Sequence, residues 1–342
     1  MTALPAAAAL TAKDFTTDQE VRWCPGCGDY AILKAMRRTM VNIGARPEST
    51  VFVSGIGCSS RFPYHMNTYG FHTIHGRAPA VATGVKVANP DLDVWVITGD
   101  GDGMSIGGNH LFHALRRNVD LQILLFNNEI YGLTKGQVSP TSRLGTRSPS
   151  TPLGSLEAPV APAAFALGAG ARFVARSIDT AQVHLPEIFE RAHAHRGTSF
   201  VEIYQNCIVY NDDVFADFTD REAAADHQIL VEHGKPLRFG PGGERGLRIK
   251  PGTLRLEVVS VGEDGVSEAD LLVHDETDRT LAGLLATMDR PDMPVAIGVL
   301  YCDPAETYEA RVNSQIAEAK AAHPGAELNR LLGGGYTWVV PA

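Results

Sequence analysis

The sequence lacks any apolar run of the roughly 18 to 20 residues that a membrane helix needs. It also lacks an excess of positive charge, because 30 Lys and Arg residues face 39 Asp and Glu residues, for a formal net charge of −9. That balance argues against nucleic acid as a general partner. No basic leader precedes the alanine-rich N-terminal stretch, so we expect a mobile tail over residues 1–20 and not a signal peptide. We therefore expect a cytoplasmic protein that does not contact a membrane.

Cysteine is scarce, with five among 342 residues. An odd number of cysteines without an export signal argues against a disulfide framework and favours metal binding or redox chemistry in a reducing compartment. Cys24 and Cys27 share a Cys-Pro-Gly-Cys turn, whereas Cys58 and Cys207 each follow an apolar, strand-like run. Cys302 has no cysteine neighbour, and we expect it to be a small buried side chain.

Short apolar runs alternate with helical stretches over the first two thirds of the chain. The strand-like runs are residues 51–53, 94–98, 121–126 and 199–204. This alternation predicts an α/β fold, a doubly wound parallel sheet with helices on both faces. After an acidic change of composition near residue 208, we predict a domain over residues 21–208 and a C-terminal extension over 209–342 that packs on the core or on a partner subunit. Ligands of such sheets bind beyond the carboxyl ends of the strands.

Oxygen ligands suited to Mg²⁺ follow two of the predicted strands. Asp100 lies in a Gly-Asp-Gly turn, and Asn128 follows the next strand in an Asn-Asn pair. The backbone carbonyl of Ile130 is a candidate third ligand. Mg²⁺ prefers hard oxygen ligands and bridges phosphates well, while Gly99 and Gly101 allow the main chain to approach a phosphate closely. The sequence therefore predicts a magnesium-diphosphate site at this edge of the sheet.

Two features of this motif need interpretation. Asp102-Gly103 repeats the acidic turn, and we choose Asp100 because it directly follows the strand. The helix after Gly107-Gly108 is expected to direct its N-terminal amides at the anion. A Gly-Asp-Gly turn alone also occurs in ordinary βαβ units with polar turns. The order strand, Gly-Asp-Gly, helix, strand and Asn-Asn is, however, typical of thiamine diphosphate enzymes.

The four remaining thiols form a candidate metal site. Four thiolates suit either structural Zn²⁺ or a [4Fe–4S] cluster, and the spacing of the cysteines does not choose between them. The neighbouring thiamine site favours the cluster, because oxidation of a thiamine-bound substrate needs an electron acceptor and the sequence carries no flavin or nicotinamide fingerprint. We therefore predict a [4Fe–4S] cluster and retain zinc as the alternative.

Taken together, these motifs resemble the β subunit of the 2-oxoacid:ferredoxin oxidoreductases, and most closely the two-subunit 2-oxoglutarate enzymes. Beyond residue 210 the resemblance is weaker. The motifs that carry it are residues 23–28, 55–59, 72–78, 99–102, 127–137 and Cys207.

The resemblance implies the following site residues. The cluster ligands would be Cys24, Cys27, Cys58 and Cys207. The Mg²⁺ ligands would be Asp100, Asn128 and the carbonyl of Ile130. The residues around thiamine diphosphate would be Ile56, Gly57, Cys58, Ser59, His75, Asp100, Gly101, Asp102, Asn128, Ile130, Gly132 and Leu133. The substrate contacts would be Arg61, Leu133 and Lys135.

The resemblance also implies partners and a reaction. An α subunit would complete the thiamine site in an α₂β₂ assembly and supply the acid that activates the cofactor, so no catalytic residue is assigned in this chain. The expected reaction is oxidative decarboxylation of 2-oxoglutarate with coenzyme A to succinyl-CoA, with electrons passed to ferredoxin. Arg61 favours 2-oxoglutarate over pyruvate because its guanidinium can pair with a second carboxylate, although a surface or interface ion pair is the alternative. Lys135 would contact the substrate carboxylate or the phosphates of coenzyme A.

Three other functions stay open from sequence alone. The same chemistry could act on pyruvate or other 2-oxoacids. A non-oxidative thiamine decarboxylase subunit with structural zinc would share the fold and the Mg²⁺ site. A scaffold subunit with an inactive thiamine site is the third, and the intact Asp100 and Asn128 argue against it.

Overall fold

The computed structural model of the chain describes residues 10–288, 290–324, 328–335 and 338–341. Residues 1–9 of the predicted mobile tail therefore lie outside the described residues. In the described remainder of that tail, the segment around Phe15 is anchored to the domain, although most residues from 10 to 20 are exposed. Phe15 is completely buried, and Thr16 forms an antiparallel bridge with Met66. The prediction of a mobile tail is therefore wrong for the segment around Phe15, because an aromatic side chain anchors it.

The strands and helices of the described residues have the following bounds. The strands are β1 (Thr50–Ser54), β2 (Tyr69–His72), β3 (Asp93–Gly99), β4 (Gln122–Asn127), β5 (Ile130–Tyr131), β6 (Gln137–Val138), β7 (Phe173–Ile178), β8 (Ser199–Tyr204), β9 (Gln228–Val231), β10 (Arg238–Phe239), β11 (Arg245–Ile249), β12 (Leu256–Ser260) and β13 (Val295–Cys302). The α-helices are α1 (Asp29–Asn42), α2 (Ala78–Ala88), α3 (Asp100–Met104), α4 (Gly108–Arg117), α5 (Pro162–Gly168), α6 (His184–Ala194), α7 (Ala216–Thr219), α8 (Ala224–His227), α9 (Arg279–Ala286), α10 (Tyr308–Ala322) and α11 (Leu328–Gly333).

The main sheet has the strand order β2-β1-β3-β4-β8-β7-β13-β9. Strands β1, β3, β4 and β8 are consecutive neighbours in it, and each pairs with the next in parallel. Their carboxyl ends therefore meet at one edge of the sheet. The four strands predicted from the apolar runs are confirmed, and so is the α/β class of the fold.

Helices cover both faces of this sheet because its central strands are apolar on both sides. In β3, Val94 and Val96 join one hydrophobic cluster with α2, α4, α5 and α9, whereas Trp95 and Ile97 join a second cluster with α1 and α6. Such doubly buried strands are typical of doubly wound parallel sheets. Within the described residues, none of the helices has both the length and the apolar character needed to cross a membrane.

The main sheet continues beyond the predicted boundary near residue 208. Strand β13 pairs antiparallel with β7, and β9 pairs parallel with β13. The C-terminal part of the chain thus contributes two strands to the same sheet, and α9 lies over it beside α5. A smaller antiparallel sheet of β10, β11 and β12 lies in this part as well. The region after residue 208 is therefore integral to the domain and not only an extension packed on it.

Candidate cofactor and metal sites at the carboxyl edge of the sheet

A cavity opens where β1, β3 and β4 end. The twelve residues that the sequence predicts around a thiamine cofactor all line this cavity. Their convergence follows from the parallel order of the three strands, which brings loops that are distant in sequence to one edge. The structure therefore assembles the predicted set in one place, and the role of these residues as ligands stays a prediction.

Asp100 is one of the residues that line this cavity. Its side chain is 2% exposed, and its Oδ2 accepts hydrogen bonds from the hydroxyls of Ser139 and Thr141 at 2.5 and 2.6 Å. Burial raises the pKa of Asp100 to about 6, although the hydroxyl hydrogen bonds oppose this shift. Because both hydroxyls bond to Oδ2, they do not occupy Oδ1. A buried carboxylate held in this way is suited to bind a divalent cation.

Asp102 has a different role from Asp100. Its Oδ1 accepts hydrogen bonds from the backbone N–H groups of Ile56 at 3.1 Å and Gly76 at 2.7 Å. Its Oδ2 accepts a hydrogen bond from the hydroxyl of Thr98 at 2.6 Å. The Nδ1 atom of His75 lies 2.7 Å from the same Oδ1. Asp102 therefore ties two loops of the cavity to the turn after β3. Protein donors thus engage both carboxylate oxygens of Asp102, and the choice of Asp100 as the metal ligand stays a prediction.

The helix that begins at the cavity is α3, and it differs from the predicted one. The sequence predicts that the helix after Gly107-Gly108 directs its amides at the anion. In the structure, α3 starts directly after β3, and Gly101 within it lines the cavity. Neither Gly107 nor Gly108 lines the cavity. The predicted helix is present as α4, and its role toward an anion stays a prediction, while the glycine-rich turn at residues 99–103 is itself helical.

Asn128 is oriented by two partners. Its Oδ1 accepts the backbone N–H of Ile130 at 3.2 Å, and its Nδ2 donates to Oε1 of Gln205 at 2.9 Å. Gln205 directly follows β8 and is 1% exposed. Sequence reasoning missed Gln205, Ser139 and Thr141 because each acts through a side-chain contact with a residue far away in the sequence. No local pattern marks them.

The four predicted cluster ligands line one pocket next to this cavity. A Cβ atom built on Gly132 would lie 3.3 Å from Sγ of Cys207 and 3.7 Å from Sγ of Cys58. Two thiols from separate strand ends therefore flank the same glycine. Cys302 lies elsewhere, at the end of β13, with its Sγ 3.8 Å from Nδ1 of His195. The structure thus brings together the four predicted cysteines and leaves the fifth apart.

The thiol pocket is electrostatically unfavourable for bare thiolates. Burial is the main cause that raises the pKa of Cys58 to about 12, and the neighbouring carboxylate of Asp29 adds to the shift. Burial and the same carboxylate raise the pKa of Cys27 as well. Asp29 is 1% exposed, and burial raises its own pKa to about 7. Positive charge from a bound metal centre would stabilise the thiolates, because metal binding and deprotonation are coupled.

Across residues 10–288, 290–324, 328–335 and 338–341, no three His, Cys, Asp or Glu side chains are grouped closely enough to hold a single metal ion in this arrangement of the side chains.

The three candidate substrate residues lie beside the thiols. Arg61, Leu133 and Lys135 all line the thiol pocket, and Leu133 also lines the cofactor cavity. The guanidinium of Arg61 donates a hydrogen bond to the backbone carbonyl of Arg22. The structure therefore places all three residues at the thiol pocket, and Leu133 alone of the three at its junction with the cofactor cavity.

Comparison with known proteins agrees with this combination of fold and site. The model of the thiamine pyrophosphate enzyme C-terminal TPP binding domain matches residues 55–203. The chain is 50% identical over 333 residues to 2-oxoglutarate oxidoreductase subunit KorB of Mycobacterium tuberculosis. The matched residues cover 96% of this chain and 88% of that protein. It is also 48% identical over 196 residues to subunit beta of 2-oxoacid:ferredoxin oxidoreductase 1 of Aeropyrum pernix. Here the matched residues cover 57% of this chain and 62% of that protein.

A solved structure shares the whole fold. It is a 2-oxoglutarate:ferredoxin oxidoreductase from Magnetococcus marinus with 2-oxoglutarate, coenzyme A and succinyl-CoA bound. The TM-score is 0.77 at 34% sequence identity, and the match covers 96% of this chain and 97% of that chain. The fold and the site thus define a thiamine diphosphate enzyme domain. More specifically, the chain belongs to the β subunits of the 2-oxoacid:ferredoxin oxidoreductases.

Proposed function

We propose that this chain is the β subunit of a 2-oxoglutarate:ferredoxin oxidoreductase. The complex would convert 2-oxoglutarate and coenzyme A to succinyl-CoA and CO₂ and pass the electrons through a [4Fe–4S] cluster to ferredoxin. The observation that carries the proposal is that the cofactor cavity and the thiol pocket share walls. The residues that line both are Cys58, Asn128, Gly132, Leu133 and Gln205.

The cavity residues fit Mg²⁺ and thiamine diphosphate. When bound, the cofactor supplies the electron sink that lets a 2-oxoacid lose CO₂. Asp100, Asn128 and the carbonyl of Ile130 would hold the Mg²⁺, which would offset the negative charge of the diphosphate. Gly101 permits close packing here, because a Cβ atom on it would lie 2.3 Å from the ring of Tyr131. The Tyr131 hydroxyl donates to the carbonyl of Gly101 at 3.0 Å and holds this wall in place.

The thiol pocket fits a [4Fe–4S] cluster held by Cys24, Cys27, Cys58 and Cys207. The support is the separate origin of the thiols in the sequence, their convergence on one pocket, and the cofactor cavity that shares walls with that pocket. All five cysteines of the chain are free. Free thiols persist in reducing compartments, and we therefore include a cytoplasmic location in the proposal.

The substrate assignment rests on Arg61 and on the relatives. A relative named as a 2-oxoglutarate oxidoreductase subunit and a neighbour with 2-oxoglutarate bound both support a dicarboxylic 2-oxoacid. Arg61 can pair with the second carboxylate, which pyruvate lacks. Lys135 would meet a carboxylate or the phosphates of coenzyme A. We further propose that an α subunit completes the active site in an α₂β₂ assembly. The β-subunit names of the relatives support the α partner.

Replacing Arg61 tests the substrate assignment. In the assembled complex, Arg61→Leu should raise the KM for 2-oxoglutarate by about 10- to 100-fold, because a hydrogen bond to a charged group contributes about 1.5–3 kcal/mol. The KM for pyruvate should change by less than about threefold, since pyruvate has no second carboxylate to pair. Steady-state ferredoxin reduction with both substrates measures the difference.

Arg117→Leu is the matched control for Arg61→Leu. Arg117 is exposed in the last turn of α4, away from both pockets. The Arg117→Leu substitution should leave the KM for 2-oxoglutarate and the KM for pyruvate unchanged. Equal effects of Arg61→Leu on the two substrates would contradict the assignment and favour a general electrostatic or structural role.

The reaction itself is tested by anaerobic turnover of the co-expressed α and β chains. We expect 2-oxoglutarate and coenzyme A to give succinyl-CoA and reduced ferredoxin in proportion. An electron paramagnetic resonance (EPR) signal of a reduced cluster should appear after 2-oxoglutarate is added. CO₂ release without reduction of ferredoxin or of a cluster would instead identify a non-oxidative decarboxylase.

A further inference from the structure

We propose that Gln205 is a positioning residue that serves both sites at once. Its side chain would orient the magnesium ligand Asn128 and donate a hydrogen bond to the cluster ligand Cys27. Through the second contact it would raise the reduction potential of the cluster. This inference rests on the proposed function, because it uses the ligands assigned there.

The two contacts are direct. Oε1 of Gln205 accepts a hydrogen bond from Nδ2 of Asn128 at 2.9 Å, and Nε2 of Gln205 donates one to Sγ of Cys27 at 3.3 Å. The same Nε2 donates to the backbone carbonyl of Asn206 at 2.5 Å. Gln205 is 1% exposed, so these contacts do not compete with bulk water. One buried amide therefore links a ligand of each proposed site.

The orientation of the Gln205 amide is determined by its neighbours. The backbone N–H of Ile130 can only donate, and it bonds to Oδ1 of Asn128. The other end of the Asn128 amide must therefore be its NH₂ group. That NH₂ group requires an acceptor, which places the carbonyl oxygen of Gln205 toward Asn128 and its NH₂ group toward Cys27.

The backbone around Gln205 keeps the side chain in place. Its N–H donates to the carbonyl of Asn127 at 2.9 Å, and the next N–H, of Asn206, donates to Oδ2 of Asp179 at 2.8 Å. A Cβ atom on Gly28 would lie 3.0 Å from Cγ of Gln205 and 1.9 Å from Oδ2 of Asp179. Gly28, next to Cys27, therefore leaves the room that Asp179 occupies and lets Gln205 pack closely against the backbone beside the thiol.

Both contacts have a physical consequence. Hydrogen bonds to cluster sulfurs contribute to the reduction potential, because a donor stabilises the more negatively charged form. Partners that orient a metal ligand contribute to metal affinity. Gln205 would thus make the cluster a better acceptor while it directs the Asn128 oxygen to the metal.

Gln205→Met removes donor and acceptor and keeps a similar length and volume. In the assembled holo-complex, we expect the midpoint potential of the cluster to become more negative in an EPR-monitored potentiometric titration. A tenfold change in the one-electron equilibrium corresponds to about 59 mV. We also expect the Mg²⁺ dependence of thiamine diphosphate binding, measured calorimetrically, to shift to about 10- to 100-fold higher Mg²⁺.

Gln205→Glu separates the two contacts. It retains an oxygen that accepts from Asn128 but replaces the donor to Cys27 with oxygen. The potential should fall while the Mg²⁺ dependence stays near that of the wild type. Being isosteric, this variant also tests the inference if the methionine variant does not fold. Gln182→Glu is the matched control, because Gln182 donates only to the backbone carbonyls of Asp179 and Ala31; it should change neither quantity.

The outcomes distinguish the inference from the proposed function. If the wild-type complex shows no cluster signal and no Mg²⁺-dependent cofactor binding, the proposed function fails. If the wild type shows both and Gln205→Met has the same potential and the same Mg²⁺ dependence, only the inference on Gln205 is overturned.

Discussion

Asp100→Ala should abolish ferredoxin reduction by the assembled complex. The substitution removes the buried carboxylate proposed to bind Mg²⁺ and leaves the hydroxyls of Ser139 and Thr141 without their common acceptor. Since the loss of partners that only orient a metal ligand costs about 10- to 100-fold, we expect at least a 100-fold weaker binding of Mg²⁺ and thiamine diphosphate. Calorimetric titration of the cofactor at several Mg²⁺ concentrations measures this loss separately from turnover.

Two variants control for misfolding. Asp100→Asn keeps the volume of the side chain and an oxygen that can accept the two hydroxyls, so the fold should persist while Mg²⁺ binding is weakened by the loss of charge. Asp91→Ala removes an exposed aspartate in the turn before β3 and should retain full activity. Retained activity in both Asp100 variants would contradict the magnesium site and support a scaffold role for this chain.

Cys207→Ser should remove the cluster and with it nearly all electron transfer. Serine cannot replace the thiolate that the pocket supplies after β8, and the remaining thiols leave one iron without its protein ligand. We expect iron and labile sulfide to fall from about four of each per β subunit toward zero, and ferredoxin reduction to fall by at least about 100-fold. Metal and sulfide analysis of the anaerobically purified complex measures the first quantity directly.

Cys302→Ser is the matched control for Cys207→Ser. Cys302 lies at the end of β13 beside His195, apart from the other four thiols, so this variant should keep its full iron and sulfide. Zinc without sulfide in the wild-type protein would contradict the cluster. It would also favour the non-oxidative alternative, in which the four thiols hold a structural ion.

The sequence predicted the central strands well because they are buried on both faces. After Gln122, strand β4 is a continuous apolar run that ends in polar asparagines, so both its type and its end are visible locally. Parallel pairing then implied that Cys58, Asp100, Asn128 and Cys207 would meet at one edge. All four follow adjacent parallel strands in the structure.

The region beyond residue 208 was predicted less well. Strand β13 is also apolar, but its place between β7, to which it is antiparallel, and β9, to which it is parallel, depends on pairing with strands far away in the sequence. Local composition shows the acidic stretch near residue 208 and suggests a boundary there. It does not show that the chain later returns to complete the sheet.

The sequence by itself thus determined the strand pattern, the family and the identity of the proposed ligands, because these depend on local runs and on motif spacing. Only the tertiary structure shows that protein donors engage both carboxylate oxygens of Asp102, whereas the hydroxyls of Ser139 and Thr141 both bond to Oδ2 of Asp100. It also decided that Gln205 touches Asn128 and Cys27, which lie 77 and 178 positions away. The physical reason is that a side-chain hydrogen bond depends on distances of about 3 Å, set by the packing of the whole sheet and invisible in any local pattern.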